Sequence, residues 1–166
     1  MDELNRALDI ALQGPQAEQA LSDFRRQLER WQVALPPAAP FVLDFGLNDF
    51  ARIGLVECWI ANEARAGYCG KYLFVFDGQT CPAHRHRKKH ETFFVVKGSV
   101  LMQYDGDVRE MREGEVLPVE PGKVHSFTGR GPCLLLELSM PCEVADNYFD
   151  DPAIPIGGNY RGAAKP

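Results

Sequence analysis

The sequence predicts an all-β protein, an antiparallel sandwich or barrel that follows a helical N-terminal segment. From Phe41 onward, short runs rich in β-branched and aromatic residues are separated by Gly, Pro and Asp, at a spacing of roughly ten residues. Asp105-Gly106, between two such runs, is a two-residue hairpin signal, and nothing in this region has the period of a crossover helix. Before Phe41, apolar residues instead recur at three- and four-residue intervals, which predicts helix.

Two helices are predicted at the N-terminus, because Gly14-Pro15 interrupts the periodic region and Pro36 ends it. The apolar stripe of the second helix consists of Leu21, Phe24, Leu28 and Trp31. Such a stripe typically packs on the rest of the core, but it can also close a dimer. We therefore expect a helical segment that covers a sheet, with a dimer contact as the alternative.

The predicted strands follow in quick succession. In chain order they are FVLDF, IGLVECWI, KYLFVF, TFFVV, SVLMQY, VREM, VLPVE, VHSFT and CLLLELS. After Asp150 the chain is rich in turn residues and is expected to wrap the surface. The predicted organisation is a helical extension over 1–40, a β-barrel domain over 41–150 and an extended segment over 151–166.

Composition narrows the class of protein. With 166 residues, 45% of them apolar and 25% charged, the chain fits one soluble globular domain. A net charge of −5, with its one basic cluster confined to residues 85–89, gives no support for a nucleic-acid or anionic-membrane partner. No run is long and apolar enough for a membrane span, and the start MDELNRALDI has early acidic residues where a secretory signal needs a basic start, so we expect a cytoplasmic protein. Five cysteines without C-x-x-C spacing are expected to be reduced.

Three of the four histidines, His84, His86 and His90, fall within seven residues. Side chains two apart on a strand share a face, so His84 and His86 can present two imidazoles to one point. Glu91 is expected to join them from a neighbouring hairpin strand, and His125 from across the barrel. A metal site would use these residue types, but an isolated H-x-H in a basic loop is also typical of a solvated surface.

The spacing around these histidines resembles the two cupin motifs. Five residues separate Gly78 from His84-x-His86, four residues separate His86 from Glu91, and six residues separate Glu91 from Gly98. Gly114 through Pro121-Gly122-x-x-His125 resembles the second motif, with one added residue and with Gly129 where Asn is common. The resemblance implies a cupin jelly-roll β-barrel and metal binding by His84, His86, Glu91 and His125. His90 is then an outer-sphere or surface residue.

Residues around these motifs resemble the cupin-type D-lyxose isomerases. The similar segments are Leu43–Phe50 with Ile53-Gly54-Leu55, Tyr68–Lys71, Lys89-His90-Glu91, and Glu137-Leu138-Ser139 with Asp146-Asn147-x-Phe149. The resemblance implies an aldose–ketose isomerase that acts on D-lyxose/D-xylulose and also on D-mannose/D-fructose. It also implies Mn²⁺, for which Fe²⁺, Co²⁺, Ni²⁺ or Zn²⁺ are replacements in a His₃Glu site.

Glu137 is the candidate general base, because an ionised carboxylate in the apolar strand CLLLELS is costly without a role. Burial is expected to raise its pKa, and a structural pairing with Lys71 or Arg161 is the alternative. The resemblance implies that Lys71 faces the pocket as a catalytic ammonium. It also implies that Asp146 contacts the sugar, and the alternative is that Asp146 is a turn residue before Asn147. Arg161 is an isolated charge that can close over the pocket mouth.

Two other functions share these features. A non-catalytic sugar-binding or regulatory cupin needs the same pocket, and an iron-dependent cupin dioxygenase needs the same four ligands. A homodimer is the expected oligomeric state, because the predicted β edges and the apolar N-terminal helix offer surfaces for a second copy.

Overall fold

Two antiparallel sheets with one shared core form the body of the protein, and the computed structural model describes residues 3–158. The helices are α1 (Glu3–Asp9) and α2 (Pro15–Trp31). The strands are β1 (Phe41–Leu43), β2 (Leu55–Glu63), β3 (Tyr68–Val75), β4 (Thr80–His86), β5 (Glu91–Lys97), β6 (Ser99–Tyr104), β7 (Asp107–Arg112), β8 (Val116–Val119), β9 (His125–Gly129), β10 (Cys133–Ser139) and β11 (Asn147–Phe149). A 3₁₀ turn, Val144–Asp146, precedes β11.

The chain passes repeatedly from one sheet to the other. The six-stranded sheet has the order β1-β2-β3-β10-β5-β8, and the five-stranded sheet has the order β11-β4-β9-β6-β7. Strands that follow each other along the chain, such as β3, β4, β5 and β6, therefore alternate between sheets, as in jelly rolls. The predicted fold class, an all-β jelly-roll barrel with an N-terminal helical segment, is confirmed.

Helix α2 covers the outer face of the six-stranded sheet. Phe24 and Leu28 are buried against Phe74, Val56 and Leu134 of the sheet, and the Phe24 and Phe74 rings lie 5.1 Å apart in an edge-to-face contact. The apolar stripe at helical spacing thus packs on the core of the same chain, as expected.

Helix α1 closes one end of the barrel. Ala7 is buried in the barrel core together with Phe41 and Leu43. The Glu3 carboxylate accepts a hydrogen bond from the Val144 N–H at 2.7 Å, which joins the helix to the last turn before β11. Strand β1 begins one residue after the predicted boundary at residue 40. Helix α1 lies before this boundary in the chain but packs into the core of the barrel that follows it.

The β6–β7 hairpin has the predicted turn. Asp105 and Gly106 both have positive φ, 50° and 94°, and Tyr104 pairs with Asp107, which defines a two-residue turn. Strand β11, which pairs with β4, is not predicted from the sequence, because three residues between turns carry too little periodicity to indicate a strand.

The cysteines agree with the expectation from composition. All five cysteines are buried and free, as expected for reduced thiols. No helix within residues 3–158 is long and apolar enough to cross a membrane. Residues 150–158 contain turns and no strand, and Arg161 lies outside the described residues.

Candidate metal centre and active site

Four buried side chains meet inside the barrel at the positions that the sequence indicates. His84 and His86 lie on β4, His125 begins β9, and Glu91 begins β5. One ligand atom from each residue lies within 4.8 Å of the others. The side chains therefore form a single cluster of three imidazoles and one carboxylate.

The expected placement of Glu91 and His125 was wrong. His125 pairs directly with His84 in the same sheet, whereas Glu91 belongs to the opposite sheet. The reason is that residues 87–90 carry the chain from one sheet to the other instead of forming a hairpin. The carboxylate, and not the third histidine, closes the cluster from across the barrel.

Backbone carbonyls fix the tautomer of each histidine. His84 Nδ1 lies 2.8 Å from the carbonyl oxygen of Pro82. His86 Nδ1 lies 3.1 Å from that of Asp146, and His125 Nδ1 lies 3.1 Å from that of Lys123. Because a carbonyl can only accept, Nδ1 carries a proton, and Nε2 is the nitrogen that has a free lone pair in the neutral ring. Metal-binding histidines are commonly oriented in this way.

The lone pairs of this cluster fit a cation. Within residues 3–158, the buried Nε2 atoms of His86 and His125 and Oε1 of Glu91 have no hydrogen-bond partner. Glu91 Oε1 lies only 2.9 Å from Nε2 of His125 and 3.2 Å from Nε2 of His86, so acceptor atoms face one another. Such contacts are repulsive unless a positive charge lies between them, and a divalent cation held by these atoms supplies it.

Local electrostatics keep these ligands in the form that binds metal. Burial, together with the nearby His125 and His86, holds the pKa of His84 well below its usual value, so its imidazole is neutral. Burial alone would raise the pKa of Glu91, but the Lys89 ammonium, 2.7 Å from its Oε2, holds it well below its usual value. Neutral imidazoles and an ionised carboxylate are the ligand forms required.

Mild acid is expected to destabilise the metal-free protein through His84. Its pKa is lower in the folded state than the ordinary value of 6.5, so the unfolded chain takes up a proton first as the pH falls below about 6.5. Urea unfolding of chelator-treated protein should show a loss of about 1 kcal/mol between pH 7.5 and 5.5. In His84→Gln that contribution should vanish. An equal free energy of unfolding for the unmutated protein at both pH values would contradict the prediction.

A row of alternating charges runs from the cluster across the inner face of the six-stranded sheet. Lys89 Nζ lies 2.7 Å from Glu91 Oε2 and 2.9 Å from Glu137 Oε1. Lys71 Nζ lies 3.2 Å from Glu137 Oε2 and 3.8 Å from Glu57 Oε1. All five residues are buried. The predicted catalytic pair, Glu137 and Lys71, is thus in direct contact and connects through Lys89 to Glu91 of the cluster.

The direction predicted for the pKa of Glu137 was wrong. Burial does favour a higher pKa, as expected, but the ammonium groups of Lys71 and Lys89 lie on either side of the carboxylate and lower the pKa below its usual value. Lys71 and Lys89 in turn have raised pKa values in spite of burial, because Cys142, Glu137 and Glu57 surround Lys71. Lys89 has the carboxylates of Glu137 and Glu91 beside it. Glu137 is therefore ionised at neutral pH and able to accept a proton.

Sequence analysis missed two members of this row, Lys89 and Glu57. Lys89 belongs in sequence to the basic cluster at 85–89. It also precedes Glu91 by two residues, and side chains two apart on an extended chain point to the same side. Glu57 interrupts the apolar run IGLVECWI, which is the same signal that identified Glu137. The period of two thus indicates Lys89, and the interruption of an apolar run indicates Glu57.

Asp146 and His90 lie outside the row. The Asp146 carboxylate accepts hydrogen bonds from the backbone N–H groups of Arg87, Lys88 and Lys89 at 3.1 to 3.2 Å, and its carbonyl orients His86. These contacts agree with the alternative that Asp146 is a turn residue before Asn147, and the sugar contact stays a prediction. His90 is exposed, in line with a surface position.

Two small adjoining cavities lie beside the charged row. The inner one, of about 40 Å³, is lined by His84, Glu91, Lys89 and Glu137, and the outer one, of about 50 Å³, is lined by Ala7, Ile10 and Trp59. Both are lined by Phe45, Glu57, Lys71, Asn147 and Phe149. Ala7 belongs to α1, so this helix forms part of the wall of the outer cavity.

Two family models match the chain, a cupin domain over residues 74–139 and a D-lyxose isomerase over residues 41–104. The D-lyxose/D-mannose isomerase of Thermosediminibacter oceani is 31% identical over 141 residues, which cover 68% of this chain and 77% of that protein. The D-lyxose ketol-isomerase of Cohnella laeviribosi is 30% identical over 142 residues, covering 68% and 76%.

A solved structure extends the similarity of fold to most of the chain. The L-ribose isomerase of Cellulomonas parahominis superposes with a TM-score of 0.70 at 17% identity, covering 87% of this chain and 95% of that one. At this identity the likeness shows the fold alone. The sequence relatives carry the assignment further, and they agree with the motifs and with the buried cluster. This chain belongs to the cupin-type D-lyxose isomerase family.

Proposed function

We propose that the chain is a metal-dependent aldose–ketose isomerase that interconverts D-lyxose and D-xylulose, and also D-mannose and D-fructose. The observation that carries the proposal is the position of Glu137. This ionised carboxylate lies between two ammonium groups on the wall of the cavity that His84 and Glu91 of the cluster also line. A binding protein has no need for a buried base at that place.

His84, His86, Glu91 and His125 would hold the metal. When bound, a divalent cation supplies Lewis-acid polarisation of the sugar carbonyl and offsets negative charge on the oxygens at C1 and C2. The ligand set of three imidazoles and one carboxylate suits Mn²⁺, with Fe²⁺, Co²⁺, Ni²⁺ or Zn²⁺ as replacements.

The charged row supplies the proton transfers that isomerisation needs. In the direction from aldose to ketose, the Glu137 carboxylate takes the proton from C2 and returns it to C1. An ammonium of Lys71 or Lys89 gives a proton to O1, and the resulting amine takes the proton that leaves O2. Glu137 and the lysine end the cycle in their starting forms, so the reaction needs no oxidant or reductant.

The cavity wall protects these transfers from water. Phe45, Phe93 and Phe149 line the cavity beside the charged groups, and Phe93 is fully buried. A dry site strengthens the interaction between the ionised groups and the sugar oxygens where charge develops.

The proposal is tested by incubating manganese-loaded protein with a panel of aldoses that includes D-lyxose, D-mannose and L-ribose. We expect D-lyxose to give D-xylulose at a rate that does not change when oxygen is removed. Binding of sugars without turnover would instead indicate a regulatory cupin, and a requirement for oxygen would indicate a dioxygenase.

We also propose that the chain forms a homodimer through the part of the six-stranded sheet that α2 leaves uncovered. Ile60, Tyr68, Leu138 and Met140 are each about half exposed. Ile60 and Leu138 flank Gly70 on this face, since a Cβ atom on Gly70 would lie 3.9 Å from both side chains. A contiguous apolar face of this kind supports contact with a second copy.

A further inference from the structure

Glu57 lies at the end of the charged row that is farther from the metal cluster, and the proposed reaction does not use it. It is on β2, separated from Glu91 by Lys71, Glu137 and Lys89 in the series of ion-pair contacts. Its side chain is almost fully buried. A buried carboxylate is costly to keep without a role, so its surroundings indicate what it can bind.

The two oxygens of Glu57 have different partners. Oε2 accepts a hydrogen bond from the indole Nε1–H of Trp59 at 2.7 Å, which fixes the orientation of the carboxylate. Oε1 is 3.8 Å from Lys71 Nζ, a distance that gives electrostatic attraction but exceeds a hydrogen bond. Oε1 therefore keeps the capacity to accept a hydrogen bond from another donor.

Glu57 stands at the junction of the two cavities. It lines both of them, whereas Glu137 and Glu91 line only the inner cavity and Trp59 lines only the outer one. A sugar whose C1 and C2 react beside the cluster and Glu137 extends its other carbons away from them, past Lys71 and toward Glu57. The far end of an open-chain pentose thus meets the free oxygen of Glu57.

We propose that Glu57, oriented by Trp59, determines specificity by accepting a hydrogen bond from the hydroxyl group at the end of the sugar farther from the metal. This inference rests on the proposed function. An ionised carboxylate only accepts, so its partner must be a donor. The site then takes neutral aldoses with a free terminal hydroxyl and disfavours sugars that carry a phosphate or carboxylate there.

The test compares D-lyxose with 5-deoxy-D-lyxose, which lacks the terminal hydroxyl, in the manganese-loaded protein and in Glu57→Gln. The unmutated protein should prefer D-lyxose in kcat/KM by about 10- to 100-fold, the range for a hydrogen bond to a charged group. In Glu57→Gln this preference should fall to a few-fold, through KM more than kcat, while kcat/KM for the 5-deoxy sugar changes little.

Two further variants separate recognition from structure. Glu63→Gln removes the same charge from an exposed position on the same strand and should keep the full preference. Trp59→Phe leaves the carboxylate but removes the donor that orients it, and should reduce the preference partially. This second variant keeps the proposal testable even if Glu57→Gln folds poorly.

Each outcome has a distinct meaning. The inference is overturned if Glu57→Gln keeps the preference of the unmutated protein, or if it loses activity equally on both sugars, as expected for a structural role. Calorimetric Kd values for both sugars add a reading that does not depend on turnover. Sugar binding that favours the terminal hydroxyl, but without turnover, would contradict the proposed isomerase function and leave the role of Glu57 in place.

Discussion

Glu137→Gln is expected to lower kcat by about 10²–10⁴-fold, the contribution typical of a positioned general base. Glutamine keeps the shape of the side chain and an oxygen that can accept from Lys89 and from Ser139, both of which contact Oε1 of Glu137. It cannot take a proton from C2. Steady-state kinetics on D-lyxose should therefore show a large loss of kcat with little change in KM.

Controls distinguish loss of the general base from loss of the fold or of the metal. Glu120→Gln removes a carboxylate from the surface and should leave kcat unchanged. Metal content and thermal unfolding of Glu137→Gln are measured in parallel, because the variant also leaves Lys71 and Lys89 with one negative charge fewer. Near-normal turnover, or loss of metal or fold, would place Glu137 in the scaffold.

The features predicted most directly from the sequence are those with local patterns. The period of two on a strand brings His84 and His86 to one face, and the period of the helix puts Phe24 and Leu28 on the sheet. The Asp105-Gly106 turn follows from the positive φ that this dipeptide tolerates. In each case, neighbours along the chain determine the structure.

What the sequence alone does not predict depends on which segments meet. Whether Glu91 or His125 comes from the opposite sheet is decided by the path of residues 87–90, and no local pattern encodes that path. The depressed pKa of Glu137 likewise arises from two lysines on other segments, Lys71 on β3 and Lys89 just before β5. Burial alone predicts a raised pKa for Glu137. The two nearby ammonium groups reverse this direction, and their presence depends on tertiary structure that the sequence pattern does not show.

Asp146 shows the same limit at the level of one residue. The sequence leaves open whether Asp146 contacts the sugar or is a turn residue, and its carboxylate accepts from three consecutive backbone amides that only the folded crossover brings together. Through this contact Asp146 holds Lys89 in the row of charges, and through its carbonyl it orients His86. A residue next to the site can thus act on the chemistry by positioning two others.

His125→Ala is expected to abolish metal binding at stoichiometric concentration and, with it, turnover. His125 is fully buried, and its Nε2 is one of the three acceptor atoms without a partner, so no other side chain of the cluster can replace it. Loss of an outer-sphere partner typically costs 10- to 100-fold in metal affinity, and loss of a direct ligand should exceed this. Elemental analysis after reconstitution with Mn²⁺ should fall from about one ion per chain to a small fraction.

His90→Ala is the matched control, because it removes an exposed histidine from the same motif and should keep full metal content and activity. Stability gives a second reading: a metal that binds only the folded chain stabilises it by about 2.7 kcal/mol at a concentration 100 times its Kd. Adding Mn²⁺ should therefore raise the Tm of chelator-treated wild type and His90→Ala, but not of His125→Ala. If His125→Ala keeps full occupancy, or if the reconstituted wild type binds no metal, the ligand assignment is wrong, and the close approach of Glu91 to the two imidazoles would need another explanation.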